Sequence, residues 1–181
     1  MLRKLAVIGL LFCSLSFFGQ SASMENKKGM KSNFSRAALG AWQQHSLDQV
    51  RDYFQYLEML ANETTSDALK AQLKENIYAL FNSRNTMVID ITTADKAPVT
   101  LEALLTKMDK FNQPLKITLK KKRLSSYFSD DSWMNIYTLE IAVNNNIMVN
   151  DVSQKIYFQP QLKDFGGRKK EVWSIQLGEM E

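Results

Sequence analysis

Asp90 is the residue of this chain best placed for proton chemistry. It sits in the run Val88-Ile89-Asp90-Ile91, where apolar neighbours on both sides would bury it. Desolvation disfavours the charged carboxylate and raises its pKa towards the range useful to a general base. The competing reading is an outward-facing or strand-end aspartate. The single histidine, His45, has no adjoining partner to orient its ring. One histidine and one cysteine (Cys13) supply no zinc ligand set, so neither a metal nor another cofactor is expected. Phosphate loops, nucleophile elbows and paired-histidine zinc motifs do not occur in the sequence.

A second group suits binding rather than reaction. Trp133, Asn135 and Tyr137 alternate at period two and so share one face of a strand. Together with Tyr53 and Trp173 they would make an aromatic wall with one amide, the composition of a ligand or partner site. Core packing would use the same residues. A third group is basic: Lys116 with Lys120-Lys121-Lys122-Arg123, followed later by Arg168-Lys169-Lys170. Such runs suit anionic lipid or an acidic partner, and equally the solvated charges that guard a sheet edge.

The elements that would position these groups follow from hydrophobic periodicity. Leu47, Val50, Phe54, Leu57 and Ala61 recur at helical spacing, and Ser46 with Gln49 reads as a capping box for a helix over 47–61. Leu69, Leu73, Ile77 and Leu80 repeat the period over 67–82, and the short polar link between predicts antiparallel neighbours. The period then changes to the β-branched run 87–92, a loop over 93–98, and a third helix over 101–111 capped by Thr100. Alternation resumes at Leu115, Ile117 and Leu119. Strands follow over 133–143 and 147–159, joined by a tight turn at Asn144-Asn145-Asn146, since asparagine tolerates positive φ. A longer hairpin loop over 160–170, containing Gly166-Gly167, leads to a last strand over 171–177. The predicted fold is α+β: three N-terminal helices packed on a strongly curved antiparallel sheet, in the order ααβαββββ.

The N-terminus reads as an address. Arg3 and Lys4 precede an apolar run from Leu5 to Phe18, and Gly19 and Ser21-Ala22-Ser23 follow. That order is a secretory signal peptide, residues 1–23. The run is too short for a comfortable span, which needs about 20 residues. Phe12 before Cys13, and the apolar residues after it, argue against a lipid anchor. Residues 24–45 read as a flexible leader with at most a short helix over 35–44, and 46–181 as a single domain. Loss of Cys13 with the signal leaves no disulfide, which points to a bacterial periplasm or outer surface. The formal net charge is +4, and Arg3 and Lys4 depart with the signal, so nucleic acid is not an expected partner.

This order of elements over Ser46 to Leu177 resembles the nuclear transport factor 2-like fold. In that family three helices cradle a bent sheet, and members include isomerases, dehydratases, transport adaptors and exported domains. The resemblance implies pairing through the open sheet face, hence a homodimer. It assigns no role to Asp90, because no motif aligns that residue with the family's catalytic positions. The expectation is an exported envelope protein acting as a non-catalytic binding or scaffolding module, for an envelope protein or a small ligand. The alternatives are a small isomerase- or dehydratase-like enzyme using a cone-pocket carboxylate, and a peripheral membrane-surface binder acting through a basic loop.

Overall fold

A helix begins where its first four backbone N–H groups find acceptors. In the computed structural model that point is Ser35, whose Oγ accepts from Ala38 N at 3.2 Å. The structure describes residues 29–144 and 146–181. The signal segment, Cys13 and the leader up to Lys28 lie outside the described residues. After the single turn α1 (Met30–Asn33), helix α2 runs unbroken over Arg36–Ala61.

Two expectations are corrected here. Ser46 does not cap a helix but lies in the middle of one, fully buried. Residues 30–45 are not a flexible leader: they are helical apart from the Phe34-Ser35 link, and Met30, Leu39 and Gln43 are buried. The reason is packing. Gly40 weakens a helix by about 1 kcal/mol, but it lies on the exposed side, while Leu39 and Gln43 face the protein.

Helix α3 (Asp67–Leu80) starts at Ser66, which accepts from Leu69 N, and α4 (Leu101–Asp109) starts at Thr100, which accepts from Ala103 N as predicted. Between them β1 (Met87–Ile89) pairs antiparallel with β2 (Pro98–Thr100). The second of these strands is not predicted: it takes in Pro98, the end of the expected loop, with Val99 and the capping Thr100. Its three residues pair with Met87, Val88 and Ile89, and Asp90 N donates to Ala97 O at 2.9 Å and closes the ribbon.

Four long strands complete the chain: β3 (Leu115–Phe128), β4 (Ser132–Val143), β5 (Asn146–Asp164) and β6 (Lys169–Met180). They form one antiparallel meander in the order β3-β4-β5-β6. The architecture is therefore α+β, with the predicted early helices and late hairpins. The inward row follows period two: Trp133, Asn135, Tyr137, Leu139 and Ile141 on β4, and Val152, Gln154, Ile156 and Phe158 on β5, all buried. Helix α2 covers this face with Val50, Tyr53, Phe54, Leu57 and Leu60. Register shifts interrupt β3 after Leu119 and again after Leu124, and the β5–β6 pair after Gln154. Such bulges bend a strand and raise its local twist.

The Ser35 cap makes a direct test of where the helix begins. Ser35→Ala should lower stability in urea unfolding by about 1 kcal/mol, the usual cost of losing an N-cap. A flexible leader would show no change.

Candidate functional site

The face carrying Trp133, Asn135 and Tyr137 is the one the sequence nominates for binding, and the structure brings these residues together with Tyr53. They point into the core beneath α2, and Trp133, Asn135, Tyr137 and Tyr53 are all buried. Trp133 Nε1 donates to Asn135 Oδ1 at 3.1 Å, Asn135 Nδ2 donates to Ser46 Oγ at 2.8 Å, and Ser46 Oγ donates to Gln43 O at 2.6 Å. Tyr137 Oη donates to Gln154 Oε1 at 2.8 Å. These polar edges, which a ligand would need, are spent on one another.

Trp173 is half-buried and stands apart, edge-on to Phe34 at 5.2 Å and tilted against Phe158 at 5.1 Å. Phe158 also meets Trp42 and Trp133, so one aromatic cluster joins the Phe34-Ser35 link, α2 and three strands. Tyr53 Oη is enclosed with no hydrogen-bond partner among the described residues. Burial pushes its phenol far up, and burial followed by the nearby Tyr53 does the same to Tyr137. Neither phenol ionises at ordinary pH.

Asp90 lies just past the end of β1, as the strand-end reading has it, and is buried, yet its chemistry is the reverse of that expected of a general base. Burial pushes its pKa up. Hydrogen bonds from Lys107 and from the Thr92 side chain and amide, with the Lys107 charge, outweigh that and hold it below its ordinary 3.8. Oδ1 accepts from Thr92 N at 3.0 Å and Thr92 Oγ1 at 2.6 Å, while Oδ2 meets Lys107 Nζ at 2.6 Å. The first two bonds make a turn in which the aspartate mimics a backbone acceptor, and the ion pair ties the ribbon to α4. A carboxylate so satisfied is a weak base.

The basic residues divide by partner. Lys116 Nζ pairs with Glu58 Oε2 at 3.0 Å, and Glu58 Oε1 also accepts from Ile117 N, which fastens α2 to β3. Lys120 pairs across the strands with Glu140 at 3.1 Å. Lys121, Lys122 and Arg123 are exposed, with no ion pair among the described residues. The run is not a loop. It lies on the edge strand β3 at a bulge, the placement that discourages edge-to-edge pairing. His45 lies on α2, exposed and edge-on to Trp42.

Sequence reasoning missed a cleft of about 320 Å3 whose lining includes Glu58, Asn62, Gln113, Leu115 and Asn144. No local signal could have found it, since the end of α2, the link before β3 and the β4–β5 turn meet only in the fold. Several of its polar side chains are committed: Glu58 as above, Asn62 Oδ1 to Thr64, and Gln113 Oε1 to Asn144 Nδ2 at 3.2 Å. Among the described residues no group of three or more His, Cys, Asp or Glu could hold a metal ion, and no helix is long and apolar enough to cross a membrane. No protein-family model matches the chain, and no curated protein gives a significant match.

The two buried tyrosines should respond oppositely to loss of the hydroxyl. Tyr137→Phe strands Gln154 and should cost about 1–3 kcal/mol, whereas Tyr53→Phe removes an unpaired polar group and should be neutral or stabilising by about 1 kcal/mol. Urea denaturation of both variants measures this.

Asp109, half-buried against Lys74 at 2.7 Å, is also held below 3.8, first by its hydrogen bond from Lys74. A carboxyl depressed in the folded state adds stability above its unfolded pKa and loses it as pH falls through the folded value. Unfolding free energy should therefore fall as pH drops below about 3.8, and Asp90→Asn should flatten part of that fall.

Proposed function

We propose that this chain is an exported, bacterial cell-envelope module that recognises a partner through its surface and carries out no chemistry itself. The observation that carries the reading is the β5–β6 hairpin. Its strands run past the start of β4, which pairs with β5 at Ser132↔Tyr157, and continue as a two-stranded ribbon to Asp164↔Lys169. Leu162 is 72 % exposed there and Phe165 54 %. Large apolar side chains left out at the end of an ordered element mark interaction sites.

The committed state of the nominated chemical groups supports the same reading. Asp90 is ion-paired, and the wall of Trp133, Asn135 and Tyr137 is bonded internally. The signal-like N-terminus supports export. Helices first and hairpin-joined strands last support likeness to the nuclear transport factor 2-like fold, and the bulges in the sheet support strong curvature. Pairing of two copies through the sheet belongs to this proposal, with one change. The face that carries Tyr137 lies under α2, so a second copy would meet the opposite face, around Met134, Ile136 and Ser153.

Native mass spectrometry of the protein, gently purified from its own host, tests the reading. The expected result is a protein mass with no small molecule retained. A retained metabolite, or an activity lost in Asp90→Asn, would overturn it in favour of an enzyme.

A further inference from the structure

An edge strand exposes unpaired backbone groups, and charge or cover normally guards it against foreign strands. Edge strand β3 carries Lys121, Lys122 and Arg123 at a bulge. Edge strand β6 begins with Lys169, Lys170 and Glu171, and near its end Leu177 bridges to Phe81 and accepts from Asn82 N. Its turn from β5 is tight, with Gly166 and Gly167 at φ of +62° and +85°, where the sequence predicts a long loop. The first stretch of β5 has no such guard. Strand β6 pairs with β5 only from Gln154 onward, preceded by a bonded Ser153 and Glu181, so Asn146 to Val152 borders β4 on one side alone.

The register decides which backbone groups point off this edge. Ser153 exchanges both backbone hydrogen bonds with Glu181 at 2.8 Å, so its N–H and C=O face away from β4. The β4–β5 pairing is unshifted from Asn146 to Tyr157, so Asp151, Val149 and Ile147 face the same way by period two. Asp151 O accepts from Lys96 Nζ at 3.2 Å in that direction. The edge-facing N–H and C=O groups of Ile147 and Val149 meet no partner among the described residues. Their side chains lie on the sheet face away from α2, opposite Ala142 and Glu140, and are 67 % and 64 % exposed. The run Asn146-Ile147-Met148-Val149-Asn150 carries no charge.

We infer that this edge pairs with the same edge of a second copy, antiparallel, about a two-fold axis at Met148. In that register Ile147 of each chain exchanges backbone hydrogen bonds with Val149 of the other, which uses every free N–H and C=O of both residues. The aliphatic side chains of both copies then form one cluster on the face away from α2. On the other face Met148 meets Met148, and Asn146 lies opposite Asn150. The stretch is its own complement: apolar meets apolar, amide meets amide, and no like charges stand opposite each other. Shifting the register by two residues would instead place Ile147 opposite Asp151, whose carbonyl Lys96 already holds. A self-complementary contact closes as a two-fold dimer. The inference goes beyond the surface-recognition reading, because its contact is a strand edge and leaves the face around Met134 and Ile136 open.

Analytical ultracentrifugation of the protein as its own host processes it, at concentrations up to about 1 mM, tests this. A reversible dimer is expected, since a short edge contact belongs with the small, weak interfaces. Amide hydrogen exchange at Ile147 and Val149 should slow by about tenfold or more as the dimer forms, while the Met148 and Asn150 amides, which face β4, should change little. Val149→Pro removes an N–H that the β4 ladder does not use, and should weaken the dimer by about tenfold or more with circular dichroism unchanged. Val149→Lys, a guard charge like those on β3, should do the same. Oxidised Met148→Cys, made together with Cys13→Ser, should join two chains, because residues opposite each other in a non-hydrogen-bonded pair have Cα atoms about 4.5 Å apart. A monomer throughout, a dimer with unchanged exchange at Ile147 and Val149, or a dimer indifferent to both Val149 variants would overturn the inference. So would joining through Ile136→Cys and not through Met148→Cys, since the copies would then meet at the sheet face. None of these outcomes bears on whether a small molecule is retained, so the broader reading stands or falls separately.

Discussion

The hydrogen-bond relay from Trp133 through Asn135 and Ser46 to the carbonyl of Gln43 decides how the long helix lies on the sheet. Apolar contacts are tolerant of small slides and rotations, but a buried amide without partners costs about 1–3 kcal/mol. Turning α2 by one residue rotates Ser46 by about 100° and breaks the relay. Slipping β4 by one residue sends Asn135 to the opposite face. One short relay therefore selects both the rotation of the helix and the register of the strand. The aromatic cluster around Phe158, and the packing of Tyr53 and Phe54, form around that choice.

Charge does a separate job at the periphery. Lys116 with Glu58, Lys107 with Asp90, and Lys70 and Lys74 with Asp109 each join elements distant in sequence. Lys70 is buried and also donates to the Asp109 carbonyl at 3.0 Å, so α3 is tied to the end of α4. What distinguishes Lys121, Lys122 and Arg123, and the cations of the β5–β6 tip, is that they close no such link among the described residues. One group lies along an edge strand, the other on a ribbon beyond the sheet.

Much of the fold was legible in the sequence because its signals are local. Helical spacing in Leu69, Leu73 and Ile77, the Thr100 cap, the alternation around Ile117, and the asparagine turn before β5 each depend on near neighbours. Misreadings arose where a local signal competed with distant packing. Ser46 and Gln49 satisfy a capping-box pattern, yet Ser46 is occupied by Asn135, 89 residues away. Gly40 looks like an interruption, but the helix around it is held by burial of Leu39 and Gln43. The glycine pair suggested a long loop, whereas positive φ at both positions tightened the hairpin and lengthened its strands.

The candidate site divides along the same line. For Asp90, residue types left a buried and an outward or strand-end position both open, but they alone determined that Trp133, Asn135 and Tyr137 would share a face and that Lys120 to Arg123 would form a basic run. These follow from period and polarity. Only the tertiary structure decided what those groups do, because partners set the chemistry of a buried polar atom. Lys107 made Asp90 an ion-paired turn residue, α2 closed over the aromatic face, and Glu58 and Glu140 neutralised part of the basic run. It alone also left Leu162 and Phe165 uncovered, since exposure depends on where the helices end, and no residue's own sequence neighbours record that.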